Sequence, residues 1–107
     1  MRFYVYVIRL RAEALKESAV ARANSQHIPF KPCVYVGSSW HAPEVRYQRH
    51  IDPASKVGSK WVRRYHLGLH KRLTELQPTY DTREEAEKAE RELARRLRKR
   101  GYAVMQG

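Results

Sequence analysis

Glu90 stands where a helix should be apolar. On a wheel of about 100° per residue with Ala86 at zero, Ala89, Leu93 and Leu97 form one stripe between about −60° and +20°. Glu90 falls at about +40°, inside the edge of that stripe, whereas Glu84, Glu85, Glu87 and Glu92 fall well outside it. A carboxylate on the core side is paired, holds a metal ion, or has its pKa raised. A glutamate at the margin of the stripe can also reach water or an arginine. Arg46 and His50 are one helical turn apart and can approach one ligand from a shared face, with Arg49 on a neighbouring face. A solvated basic face would carry the same pattern. In Phe3–Leu10 alternation points Tyr4, Tyr6 and Ile8 to one side, and in the second apolar run Tyr35 faces away from its flanking valines. Core tyrosines would look the same. His66 and His70 have a metal-ligand spacing, but Gly68 interrupts a helix between them and no cysteine or acid completes a zinc set. No P-loop, dinucleotide-binding glycine pattern or serine-nucleophile motif is present.

The elements that must position these groups read as follows. Residues 3–10, β-branched and aromatic, predict a strand. Residues 11–23 predict a short helix, and 24–32, with two prolines, a loop. Cys33 to Gly37 predicts a second strand ending at the glycine. Pro43 at a first-turn position opens a helix to about His50. Residues 52–58 form a linker, after which Ser59 caps a short helix through Tyr65. Residues 67–76 read as an irregular strand after Gly68, and 78–81 as a turn. Thr82 caps the clearest element, with Glu85 completing a capping box, and that helix runs to Arg100 before Gly101 stops it. Its acids come first and its bases last, which complements the helix dipole. Residues 102–105 predict a last strand. The fold class is α+β, a small, mostly antiparallel sheet flanked by helices, in one domain spanning 1–107.

Charge indicates the kind of partner. Lysine and arginine total 22 against 11 acids, a formal net charge of +11, which attracts polyanions at long range. The bases are spread over several segments instead of one amphipathic helix, which favours nucleic acid over a membrane surface. Arginine leads lysine 15 to 7, and its planar fork suits phosphate. The single cysteine, Cys33, excludes an intramolecular disulfide framework. No apolar run is long enough to span a membrane, and the N-terminus lacks a signal peptide's cleavage region, so a cytoplasmic location is expected.

Taken in order, these residues resemble the GIY-YIG nuclease superfamily. Tyr4-Val5-Tyr6 stands where the GIY triplet belongs, and Tyr35-Val36-Gly37 matches YIG. Arg46-x-x-x-His50 resembles the family's arginine followed one turn later by a basic residue or histidine. Gly58-Ser59-Lys60-Trp61 resembles its Gly-x-Lys-aromatic segment. Ala86-x-x-x-Glu90-x-x-Leu93 matches the helix that presents the metal-binding glutamate. The closing Gly-Tyr-Ala-Val-x-Gln-Gly is similar to a short stand-alone bacterial form, with no second domain for targeting. Tyr4 replaces the first glycine of the GIY triplet. About 28 residues separate Tyr6 from Tyr35, so 10–32 has the character of an insertion beside the sheet. The asparagine that many members place after the glutamate helix has no counterpart, Gln106 lying too near the end of the chain to be given that place.

The resemblance implies a divalent-metal-dependent endonuclease hydrolysing nucleic-acid phosphodiester bonds, with DNA the expected substrate. Glu90 would hold one Mg2+ (or Mn2+) together with several waters. Tyr6 would deprotonate the attacking water, although a free phenol with a pKa near 10 is a poor base unless positive charge or the metal assists it. Arg46 would contact the scissile phosphate, and His50 would bond either a phosphate oxygen or Tyr6. Tyr35 would orient water or phosphate. Gly37 would let the backbone turn tightly beside the site, and Lys60, Arg63 and Arg64 would contact the nucleic-acid backbone. A binding module with this fold and weak or absent turnover is the alternative.

Overall fold

A computed structural model describes all 107 residues. In chain order it contains β1 (Phe3–Leu10), a 3₁₀ turn (Ala12–Lys16), α1 (Ser18–Ala23), β2 (Cys33–Ser39), α2 (Pro43–Ile51) and α3 (Lys60–Tyr65). β3 (His66–Leu69), α4 (Lys71–Glu75), β4 (Thr79–Tyr80), α5 (Arg83–Lys99) and β5 (Ala103–Gln106) follow. The two strands richest in β-branched and aromatic residues, β1 and β2, lie at the centre and pair antiparallel from Tyr4 opposite Ser39 to Leu10 opposite Cys33. β3 and β4 both pair antiparallel with the other edge of β1. β5 pairs parallel with β2. The result is a mixed five-stranded sheet, mostly antiparallel, with helices on both faces, as the sequence predicts.

Alternation along the strands divides the core into two layers. Val5, Val7, Val34, Val36 and Val104 meet Ala86, Leu93, Ala94 and Leu97 of α5 on one face. Tyr6, Ile8, Leu10, Cys33, Tyr35 and Ala103 meet Ala14, Val20 and Val62 on the other, with α2 and α3 closing over them. Each fully buried valine or leucine contributes about 1.5–3 kcal/mol. The predicted cap of α5 is present: Thr82 Oγ1 accepts from the Glu85 N–H at 3.2 Å and donates to Glu85 Oε1 at 2.9 Å. No helix is long and apolar enough to cross a membrane.

Four local readings are corrected. Residues 11–23 do not make one helix, because Glu17 is extended and separates the 3₁₀ turn from α1. Its carboxylate is drawn to α3 by the Tyr65 hydroxyl at 2.5 Å and by Arg64 at 3.4 Å. Residues 67–76 are not one strand. β3 ends at Leu69, and His70 Nδ1 caps α4 by accepting from the Leu73 N–H at 3.2 Å. His66 bonds Tyr47 instead, so the two histidines serve separate elements. The 78–81 turn includes β4, which pairs with Phe3 and Tyr4. β2 continues past Gly37 to Ser39.

The segment 10–32 packs against the sheet through Asn24. Its Nδ2 donates to the carbonyls of Val20 and Val104, and its Oδ1 accepts from the Val104 N–H at 2.7 Å. Both backbone groups of Val104 on the free edge of β5 are thereby satisfied, with Arg98 adding a second donor to its carbonyl.

Candidate active site

Tyr6 lies opposite Gly37 in the β1–β2 ladder. A Cβ on Gly37 would sit 2.5 Å from the Tyr6 hydroxyl oxygen and 3.1 Å from the Tyr35 ring. The glycine therefore makes room for two tyrosines inside a continuous strand. The tight turn expected there does not exist, since β2 runs on through Ser38 and Ser39.

On the same face, His50 of α2 is fully buried, and its Nε2 lies 2.7 Å from the Tyr6 hydroxyl. Its Nδ1 lies 2.9 Å from the Ser59 backbone nitrogen. A backbone N–H only donates, so Nδ1 is an acceptor and the imidazole proton is on Nε2. The charged imidazolium has no place here. Burial, then the charges of Arg46 and Arg63, hold the His50 pKa down at about 4. Gly58 keeps this arrangement open. Its φ is +128°, and a Cβ there would lie 3.0 Å from the His50 Cα and 3.2 Å from Nδ1.

Both tyrosine hydroxyls are held as neutral phenols. Tyr6 is raised well above the ordinary phenol range by burial and then by Tyr35, with Arg46 opposing the rise and Glu90 adding to it. Tyr35 is raised by burial and by Glu90, and Arg46 again opposes. Its ring packs edge-on to His50 at 5.3 Å between centroids. Arg46 itself is half-buried, reaching from α2 towards both hydroxyls and still open to solvent.

Glu90 approaches from the other face, as its place on the wheel predicts. It is 5% exposed. Ser38 Oγ donates to Oε1 at 2.9 Å and Gln106 Nε2 donates to Oε2 at 3.3 Å. No cation pairs with it: the ion pairs in the structure are Arg2–Asp81 and Arg64–Glu17. Burial raises the Glu90 pKa, and the two hydrogen bonds only partly oppose this. A buried carboxylate with no cationic side chain beside it is either protonated or able to take a cation. Two donors use part of its capacity and leave lone pairs free. No group of three or more histidine, cysteine or acidic residues surrounds it. This donor set fits a hard cation held by one carboxylate and mostly by water, as Mg2+ prefers, and does not fit zinc.

The bases predicted to contact nucleic acid are all on α3 and exposed, but they differ in freedom. Lys60 rests its ammonium over the Trp61 ring at 4.7 Å. Arg63 donates through Nε to the His50 carbonyl and through Nη2 to the carbonyls of Ser55 and Val57. It ties the 52–58 linker to α2. Arg64 shares its charge with Glu17.

Tyr6, Tyr35, Gly37, Arg46 and His50 are thus brought together on one face, and the charge of Glu90 is felt at both hydroxyls from beyond the sheet. Ser38, Ser59 and Gln106 belong to the site although sequence reasoning did not select them. Ser38 had a signal, because alternation from Tyr35 turns it towards α5. The sequence offers Ser59 only as a helix cap and motif residue and Gln106 only as a residue near the chain's end; their bonds to His50 and Glu90 depend on contacts across the fold. Set against known protein families, curated proteins and solved structures, the chain matches none of them.

Proposed function

We propose that this chain is a divalent-metal-dependent endonuclease of the GIY-YIG type, working in the cytoplasm, which hydrolyses phosphodiester bonds in nucleic acid and in DNA above all. The observation that carries this reading is the buried Glu90 carboxylate with no cationic side chain paired to it, whose charge is felt through the sheet at two tyrosine hydroxyls that also feel Arg46. Hydrolysis of a phosphodiester needs water activation and stabilisation of the charge that develops on phosphorus-bound oxygens. Glu90, oriented by Ser38 and Gln106, would hold the metal. A bound Mg2+ or Mn2+ supplies a Lewis acid for the phosphate oxygens.

The other steps belong to side chains of this chain. Arg46, half-buried and still open to solvent, receives the scissile phosphate, where a guanidinium fork binds two oxygens. Tyr6 would position the attacking water, and it acts as a base only after releasing its own proton to solvent with the help of the Arg46 charge. The phenolate then takes one proton from the water as the new P–O bond forms. His50 donates Nε2–H to the Tyr6 oxygen and so stabilises the phenolate. It does not accept the Tyr6 proton, because Nε2 is occupied and Nδ1 is held by Ser59. Tyr35 orients water or a phosphate oxygen through its hydroxyl. Lys60, with help from Arg64, holds the backbone of the substrate.

A second reading has its own support. Tyr6 is 1% exposed and its pKa is raised well above the ordinary range by burial, which would suit a nucleic-acid-binding module with little turnover. Incubation with labelled single-stranded, duplex, flapped and branched DNA and with RNA, in Mg2+ or Mn2+ and with a chelator control, separates the two. Metal-dependent products support the nuclease. Retarded but intact substrate under every condition supports the binding module.

A further inference from the structure

After Ser39 the chain leaves the sheet through Trp40 and His41 before α2 begins at Pro43. The two rings stack, 3.9 Å between centroids with planes 30° apart. Trp40 is 49% exposed. Trp61, by contrast, packs on the core. The base of the stack is anchored, since the His41 N–H donates to Ser39 Oγ at 3.0 Å and Ser39 is buried. The charges of Arg49 and Arg46 are both felt at His41, and Arg46 is felt in turn at Tyr6. The stack therefore lies between the strand end carrying Gly37 and Ser38 and the basic face of α2.

Folding gains little from a tryptophan with half of its ring in water. A pre-stacked aromatic pair beside two guanidiniums combines the two features of a single-strand binding surface, a π-face for a base and positive charge for its phosphate. Bases inside a duplex are already stacked on both faces and present only their edges. An unpaired base has a face to offer.

We propose that Trp40, backed by His41, is a stacking platform for an unpaired nucleobase next to the phosphate held by Arg46, so that the protein selects nucleic acid that is single-stranded at that point. This rests on the nuclease reading above. Arg49 would neutralise the phosphate on the far side of the stacked base.

The test uses the Trp61→Phe protein, in which Trp40 is the one remaining tryptophan, in chelator so that nothing is cut. Short single-stranded and duplex DNA are titrated while binding is followed independently by anisotropy of a label on the DNA. The expected result is quenching of Trp40 emission by single-stranded DNA and not by duplex. Trp40→Ala should weaken single-strand binding roughly five- to a hundredfold while leaving duplex binding unchanged, and Trp40→Phe should restore most of the loss. Single-strand binding without quenching, and unaltered in Trp40→Ala, would overturn the platform while the nuclease reading stands. Absence of binding to every nucleic acid at low salt would overturn both.

Discussion

The proton in the 2.7 Å hydrogen bond between His50 and Tyr6 belongs to the imidazole. The Ser59 N–H on Nδ1 fixes that tautomer from the other side of the ring. The sequence leaves His50 two partners, a phosphate oxygen or Tyr6. Its complete burial and these two bonds assign it to Tyr6. On the proposed nuclease reading, His50 is a positioning residue for Tyr6. It donates to one lone pair of the Tyr6 oxygen and does not use the phenolic proton.

A buried neutral histidine makes the fold acid-sensitive. Unfolded, the imidazole titrates near its ordinary 6.5, and folded near 4. Between these values the unfolded chain binds more protons, so stability is full above 6.5 and is lost as pH falls towards 4. The whole shift corresponds to roughly 3 kcal/mol. Tyr6 of β1, Tyr35 of β2, Arg46 of the same helix and Arg63 of α3 face the ring. Urea unfolding at several pH values in this window should show a steeper loss for wild type than for His50→Gln. Equal slopes would show that His50 is not buried in the neutral form.

Tyr6 and His50 should behave as one unit. Tyr6→Phe leaves a buried Nε2–H without an acceptor, at about 1–3 kcal/mol of stability. It should also lower single-turnover cleavage by about a hundred- to ten-thousandfold. His50→Ala should lower cleavage by less, and should add little when combined with Tyr6→Phe. Rates that multiply in the double variant would mean that His50 acts on the substrate by another route.

Lys60 and Arg63 are three residues apart on α3 and should respond in opposite ways. Arg63→Ala removes the donor of three carbonyls and should cost about 1–2 kcal/mol in urea unfolding. Lys60→Ala should change stability by less than about 0.5 kcal/mol, yet reduce the slope of log affinity against log salt by about 0.7–0.9. Anisotropy titrations across a salt series, run beside the unfolding curves, check both halves. A reversed pattern would exchange their roles.

Much of this was legible where a local period decides the outcome. Alternation sets Tyr6 with Ile8 and sets Tyr35 apart from its flanking valines, and the helical wheel turns Glu90 inward beside Leu93 and Leu97. That the two tyrosines share a face is decided by the pairing of β1 with β2. What was hidden depends on contacts distant in sequence. α4 exists where a strand was expected because it fills the gap between β3 and β4 along β1. There Thr74 Oγ1 accepts from the Val7 N–H at 3.0 Å, and the His70 N–H donates to the Val7 carbonyl at 2.8 Å. Gln106 lies near the end of the chain, yet the parallel pairing of β5 with β2 brings it to Glu90. The resemblance implies a tight turn at Gly37, but β2 continues through it. The glycine's actual task is set by a tyrosine thirty-one residues earlier in the chain.

Glu90 carries the central claim, and cleavage by wild type and Glu90→Ala in parallel tests it most directly. Both proteins would be given the same labelled DNA at low salt with Mg2+, with circular dichroism and anisotropy recording fold and binding. The account predicts metal-dependent cutting by wild type, and a folded variant that binds with the same salt dependence and does not cut. Cutting by Glu90→Ala at the wild-type rate would contradict it.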